Sequence, residues 1–374
     1  MGCREVARLR LTAPSRATMA VMATGRLRRA DPSRPGLGRR RAGRGFMILD
    51  PGGARVGDEE TLARVRALAI PPAWSDVWIS TDPLGHLQAT GIDAAGRKQY
   101  RYHDRWRTRR DQQKFDAMLV FAAALPKQRE RVQRDLEREG LPRERVLGCA
   151  ARLLDLGFFR VGGEDQSGQN ESFGLATIQR RHVHFRGEEI VFDYPGKSGQ
   201  PQVQAISDPD VRAVVERLKR RRGGARPDLL AFKEGGRWID VRSDDINEYV
   251  KEASGNPSFS AKDFRTWNAT VLASIAIATT GPDAASKSAR KRAITGAARH
   301  VAVYLGNTPT VARASYIDPR VFDRYLSGWT IGGALDEVGG EADLGLPLVR
   351  ARLEAAVLDL LEGEEQSTAL EKVA

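Results

Sequence analysis

The hydrophobic period changes part-way along this chain, and that change limits the fold more than any other feature. Up to about residue 110 the apolar residues come in short runs. TLARVRALA (61–69) reads as a helix ended by Pro71 and Pro72. DVWISTD, HLQATGID and KQYRYHD read as strands separated by Asp-Pro-Leu-Gly and Ala-Ala-Gly turns. From about 111 the spacing becomes helical, in QQKFDAMLVFAAAL, RERVQRDLEREG and RERVLGCAARLLDLGFF. One β island interrupts it: HVHFRG, EEIVFDY and PQVQAIS, joined by Arg-Gly and Pro-Gly-Lys-Ser-Gly turns. Helices resume in DVRAVVERLKRRR, DDINEYVKEAS, the strongly apolar KDFRTWNATVLASIAIAT, and residues 287–304. The pattern specifies an α+β protein, with a small β-rich N-terminal lobe before a mostly α-helical lobe that carries a three-stranded β island.

Charge divides the chain further. Residues 1–46 hold twelve arginines against two acids, with much Gly, Pro and Ala and no period, so a basic disordered arm is expected there. Met19, Met22 and Met47 leave open a later start. Residues 47–125 form the β-rich lobe, 126–330 the helical lobe, and 331–374 an acidic tail with one helix, LPLVRARLEAAVLDLLEG. That tail has ten acidic and three basic residues, yet the whole chain carries +12, so its middle is basic in its own right. A polyanionic partner follows, nucleic acid ahead of membrane because no basic amphipathic anchor stands out. No run of about 18 apolar residues predicts a membrane span. No apolar stretch follows the first arginines, so no secretory leader is expected, and a reducing cytoplasm fits. Cys3 and Cys149 are the only cysteines, which excludes a disulfide framework or a cysteine zinc site.

Several catalytic patterns are missing: Gly-x-Ser-x-Gly, a Walker A loop and His-Glu-x-x-His. RVGGEDQSGQ (160–169) matches no complete phosphate loop. Of the five histidines, His182 and His184 stand two apart on an expected strand and so share a face, but no third ligand is near in sequence. What remains is a set of cations and one tyrosine. Arg160 follows an apolar helix end in GFFRVGG. Lys197 sits at a hairpin tip in DYPGKSGQ. Arg265 opens the core helix in KDFRTWNAT, and Asn307 and Tyr316 close the series in LGNTPTVARASYIDP. There Thr308 is a good N-cap and Pro309 a good first helical residue, while Asp318-Pro319 ends the helix, which puts Tyr316 on its last turn. Taken singly, each has a plainer reading: a solvated hairpin lysine, surface arginines, a half-buried packing tyrosine.

Together they are more specific. From about 70 to 330 the chain resembles the type IB DNA topoisomerases of the small bacterial and poxvirus kind. The resemblance rests, in the family's order, on IPPAW (70–74), GRKQYRYH (96–103), FFRVGGE (158–164), NESFGLATIQRRHVHF (170–185), YPGKSG (194–199), KDFRTWNAT (262–270) and LGNTPTVARASYIDP (305–319). It implies that Tyr316 attacks a DNA phosphodiester to form a 3′-phosphotyrosyl link, that Arg160 and Arg265 hold the non-bridging oxygens, and that Lys197 protonates the 5′-oxygen leaving group. Asn307 stands where many relatives have His; its amide donates to a phosphate oxygen but carries no charge. Gln99, Tyr100 and Tyr102 are implied to approach DNA in the major groove, where Gln is a natural reader of adenine. On a regular strand Gln99 and Arg101 take one face, Tyr100 and Tyr102 the other.

Fixed guanidiniums suit a phosphorane-like transition state, and neighbouring cations favour the phenolate. These groups need neither metal nor nucleotide cofactor. The expected enzyme is a monomer that closes as a clamp around duplex DNA, nicks one strand, lets it swivel and reseals it. A tyrosine recombinase shares the Arg–Lys–Arg–Tyr logic, but typically has a His shortly before the second Arg, where this chain reads Lys262-Asp263-Phe264-Arg265, and it lacks the β-rich front with QYRYH. A non-catalytic DNA-binding relative would have no use for Tyr316.

Overall fold

A computed structural model describes residues 25–43, 45–163, 172–223, 226–280, 286–339 and 344–373. The chain divides into two compact units, residues 1–113 and 114–374.

The first unit is built on a five-stranded antiparallel sheet of order β2-β1-β3-β4-β5, with β1 Leu37–Ala42, β2 Gly45–Leu49, β3 Ser75–Ile79, β4 Leu87–Ile92 and β5 Lys98–Tyr102. Helix α1, Glu59–Ala67, is N-capped by Asp58, whose side chain accepts from the Thr61 amide. It helps close a small core of Leu37, Ile48, Val65, Ile79 and Ala89. Here the structure corrects the arm. Leu37–Ala42 is a strand paired on both sides, and of the expected arm residues 1–24 and 44 lie outside the described residues. Three consecutive arginines hide that strand in the sequence. Arg39 is half-buried and donates to the carbonyls of Ile70, Pro71 and Trp74, work that a disordered arginine would not do.

Helix α2, Asp104–Leu136, begins in the first unit and supplies most of its length to the second. Its start is capped by His103, whose Nδ1 accepts from the Arg105 amide. Burial first, and then Arg105, hold that imidazole below its ordinary pKa, so it stays neutral and able to accept. The helix runs unbroken through Pro126, where two helical segments were expected, and it moves the boundary between units to 113/114 from the expected 125/126. The missing amide bond at Pro126 is offset by one continuous buried face: Phe115, Met118, Phe121, Ala122, Leu125, Val132 and Leu136.

The second unit gathers around helix α6, Ala261–Thr280, whose Phe264, Trp267, Ala269, Val271 and Ala273 are all buried. Before it come α3 Arg143–Leu156, the three-stranded antiparallel island β6 Val183–Arg186, β7 Glu189–Pro195 and β8 Pro201–Ile206, α4 Pro209–Arg220, the hairpin β9 Ala231–Glu234 and β10 Arg237–Asp240, and α5 Ser243–Ser254. After it come α7 Lys287–Leu305, α8 Pro309–Ser315, α9 Pro319–Leu326, β11 Trp329–Thr330, α10 Gly332–Glu337, α11 Pro347–Glu362 and β12 Glu371–Lys372. The β9–β10 hairpin was not foreseen. Nor is the acidic tail a separate appendage. Ile331, Ala334, Leu335, Leu353, Ala356, Val357, Leu360 and Leu361 belong to the main core, and β12 returns to pair with β11. Among the described residues most of the tail's acids, such as Asp336, Glu337, Glu362 and Glu364, lie exposed on an otherwise apolar packing unit, while Glu354 is buried.

The two histidines do not share a strand face. His182 closes a short 3₁₀ turn, with its Nδ1 accepting from the Gln179 amide and its ring against Phe173, while β6 begins at Val183 and leaves His184 exposed. Most of the glycine-rich 160–169 stretch lies outside the described residues. No described helix is long and apolar enough to cross a membrane.

Candidate active site

Helix α3 ends at Gly157, and the chain continues as Phe158-Phe159-Arg160. Phe159 is fully buried against Phe192 of β7. The Phe158 amide donates to Gln204 Oε1 at 2.7 Å, so the island fixes the segment from one side. Beyond Arg160 the backbone crosses itself at Gly162 and Gly174. A Cβ on Gly162, which has φ +81°, would lie 2.8 Å from the Gly174 Cα. Arg160 therefore projects from a backbone with little freedom.

Three other groups meet it. Arg160 Nη2 donates to Asn307 Oδ1 at 2.8 Å and lies 3.4 Å from the carbonyl oxygens of Leu305 and Gly306. Arg265 is 3% exposed and donates to the carbonyls of Phe158 and Leu305, the second at 2.9 Å. Both guanidiniums thus converge on the C-terminal end of α7, whose unpaired carbonyls suit cations. Gly306 makes the turn there in the left-handed region, at φ +59°. The Arg265 Cζ lies 5.3 Å from the centre of the Tyr316 ring.

Tyr316 caps the end of α8, as the Thr308-Pro309 and Asp318-Pro319 signals required. Its backbone is pinned from two sides. Thr270 on α6, fully buried, accepts from the Asp318 amide at 3.1 Å and reaches the Tyr316 carbonyl at 3.3 Å. Lys114 of α2 donates to the Ser315 carbonyl. The ring is half-buried. Burial opposes ionisation of the phenol, but Arg265 and Arg160, with a lesser contribution from Lys262, outweigh it and hold the hydroxyl below its ordinary value. Arg265 is itself pulled down to about 10, by burial first and then by Arg160, and remains a cation at neutral pH.

Asn307 carries a further mark. A guanidinium only donates, so the atom facing Arg160 is the amide oxygen, and Nδ2 points away. That nitrogen is buried and has no hydrogen-bond acceptor among the described residues. Two cations and an unsatisfied donor beside a tyrosine hydroxyl make a receptor for an anionic, tetrahedral group.

Lys197 stands apart. It is exposed at the tip of the β7–β8 hairpin, in a turn that holds Ser198 at φ 60°, and its side chain makes no hydrogen bond or ion pair with the described residues. The base of its hairpin does reach the site: Gln202 packs so closely on Gly306 that a Cβ there would lie 2.4 Å from Nε2. Gln99, Tyr100 and Tyr102 belong to β5 of the first unit. Tyr100 and Tyr102 stack with centroids 6.1 Å apart, 47% and 40% exposed, while Gln99 faces the other way and donates to Asp93 at 2.9 Å. The strand alternation read from the sequence holds.

Residues 103–326 match the family model described as the catalytic core of eukaryotic DNA topoisomerase I. The chain belongs to the type IB DNA topoisomerases. Residues 45–93 match the bacterial DNA topoisomerase IB N-terminal domain. The chain is also similar to the DNA topoisomerase 1B of Acanthamoeba polyphaga mimivirus, 29% identical over 260 residues that cover 68% of this chain and 77% of the viral protein. It is therefore an isomerase that relaxes supercoiled duplex DNA through a phosphotyrosine intermediate. Of the five residues named from sequence, Arg160, Arg265, Asn307 and Tyr316 come together here while Lys197 stands apart; Thr270 and Asn268, which support them, were passed over. Both are polar residues within an apolar helix, and that was the available signal.

Proposed function

We propose that Tyr316 is the nucleophile of the strand-cleavage step, that Arg160, Arg265 and Asn307 bind the scissile phosphate, and that Lys197 is the general acid. The observation that carries this reading is geometric: Arg160 and Arg265 meet at the Leu305 carbonyl, Arg265 lies 5.3 Å from the centre of the Tyr316 ring, and Arg160 holds Asn307, whose amide nitrogen has no acceptor among the described residues. The phenol loses its proton to solvent and its oxygen attacks phosphorus. As the tyrosyl–phosphorus bond forms, the bond to the 5′ oxygen breaks. Lys197 gives that oxygen a proton, because an alkoxide leaves poorly. The 3′ end stays on Tyr316, so the bond energy is kept for resealing. Torsional strain turns the free 5′ end. The 5′ hydroxyl then attacks the phosphotyrosine, its proton returns to Lys197, and Tyr316 departs.

The helical unit takes the catalytic fold shared by type IB topoisomerases and tyrosine recombinases. The enzyme works as a monomer on double-stranded DNA, with chromosomal DNA in the cytoplasm as its substrate. Tyr100 and Tyr102 present an aromatic pair to the duplex; Gln99 reaches a base only by exchanging its bond to Asp93. The test is to quench the enzyme on supercoiled plasmid with detergent, digest protein and DNA, and map the adduct by mass spectrometry. The expected result is a nucleotide on Tyr316. An adduct on another residue, or none, contradicts the assignment.

A further inference from the structure

The acidic tail has no part in the chemistry above, yet it carries a charged cluster buried in the core. Arg350 of α11, 8% exposed, donates through Nη2 to the Asp155 carbonyl at 2.6 Å, to Asp155 Oδ1 at 2.8 Å and to Asn268 Oδ1 at 3.2 Å, and through Nε to Glu354 at 3.0 Å. Arg129 of α2 holds the same two carboxylates from the other side, Asp155 at 2.9 Å and Glu354 at 2.6 Å. Two cations and two anions balance, which is the condition for burying them.

The cluster touches the backbone that aims the catalytic arginines. Asn268 lies three residues after Arg265, on the same face of α6. Its Nδ2 donates to the carbonyls of Asp155 at 2.9 Å and Gly157 at 3.1 Å, and lies 3.4 Å from that of Leu154. One residue further on, the Phe158 carbonyl accepts from Arg265, and Arg160 is two residues beyond. Because Arg350 only donates, it holds the Asn268 amide with oxygen towards itself and nitrogen towards those carbonyls. Arg350 thus grips both partners, the end of α3 and the side chain on α6.

We infer that Arg350 is a positioning residue for cleavage: through Asp155 and Asn268 it sets the register between the Arg160 segment and Arg265. It lies beyond the matched catalytic core, which ends at residue 326. The inference rests on the proposed role of the two arginines as phosphate ligands.

The test compares wild type, Arg350→Met, Arg350→Lys and Arg265→Ala in single-turnover formation of the covalent complex. The substrate is a duplex with a mapped cleavage site at saturating concentration, carrying either the natural phosphate or a methylphosphonate at that site. Displacing catalytic groups by about 1 Å slows chemistry on the order of 100-fold. Arg350→Met is expected to lose roughly 10- to 100-fold in rate with DNA affinity within about twofold. It should also suffer a smaller penalty from the methylphosphonate than wild type, because the arginines no longer meet the missing oxygen. Arg350→Lys keeps the charge but not the fork, and recovers part of the rate. It serves alone if Arg350→Met fails to fold. A lower Tm with an unchanged rate per folded molecule, an unchanged methylphosphonate penalty, or full recovery with Lys overturns the inference. If Arg265→Ala cleaves like wild type, the site assignment itself fails; if Arg265→Ala is slow and the Arg350 variants are not, only this inference fails.

Discussion

Replacing Asn307 by leucine removes one amide and little volume, so the effect on catalysis is calculable. Arg160 loses its 2.8 Å acceptor but keeps the Leu305 and Gly306 carbonyls at 3.4 Å, so it stays near its place. The substantial loss is the buried Nδ2 donor, which has no acceptor among the described residues and so is free for a phosphate oxygen. A hydrogen bond to a charged group contributes about 1.5–3 kcal/mol. At 1.36 kcal/mol per decade this predicts a rate of covalent-complex formation roughly 10- to 150-fold lower. Asn307→Asp should be slower still: its carboxylate keeps the bond to Arg160 but sets a negative charge against the phosphate. Asn307→His restores a donor and should recover most of the rate. The assay is single-turnover cleavage at saturating DNA, with affinity measured in parallel. A leucine variant within twofold of wild type, or an Asp variant faster than the Leu variant, refutes the assignment of this amide to the phosphate.

Other outcomes follow from the same geometry. Because Arg265 and Arg160 depress the Tyr316 hydroxyl, the phenolate fraction and the cleavage rate should rise with pH about a midpoint below the ordinary tyrosine value near 10. Arg265→Gln should move that midpoint upward, and an unmoved midpoint contradicts the coupling. Thr270→Val keeps shape but strips the buried Asp318 amide of its acceptor, which costs about 1–3 kcal/mol; the Tm should fall by several degrees in a calorimetric scan. Asp135 is buried, which raises its pKa, but bonds from Arg131, Arg138 and Tyr249 outweigh burial and leave it below 3.8. Its stabilisation is therefore present above that value and lost as the pH falls through the lower folded one. Wild type should exceed Asp135→Asn in Tm at neutral pH, with the two converging in acid; a constant gap contradicts this.

The three island strands, the core helix α6 and the short helix before Tyr316 were legible because each carries a local signal: alternation, an apolar helix, or a Thr-Pro start with an Asp-Pro stop. What sequence concealed depends on partners distant along the chain. Arg39–Arg41 reads as solvated arm until Arg39 finds three carbonyls contributed by residues 70–74. Arg350 and Glu354, four apart on a helix, read as a surface ion pair. Only the fold shows Asp155 and Arg129 closing around them, with Arg350, Glu354 and Asp155 buried and Arg129 half-buried at the edge. The proposed site residues were named from motif order, whereas their supports, Thr270 and Asn268, act through backbone that no motif names.

The central claim is tested most directly by relaxation of negatively and positively supercoiled plasmid, in EDTA and without ATP, by wild type and by Tyr316→Phe. The account predicts that wild type relaxes both signs and that Tyr316→Phe binds plasmid but relaxes neither. Relaxation by Tyr316→Phe at the wild-type rate, or none by the folded, DNA-bound wild type, would contradict it.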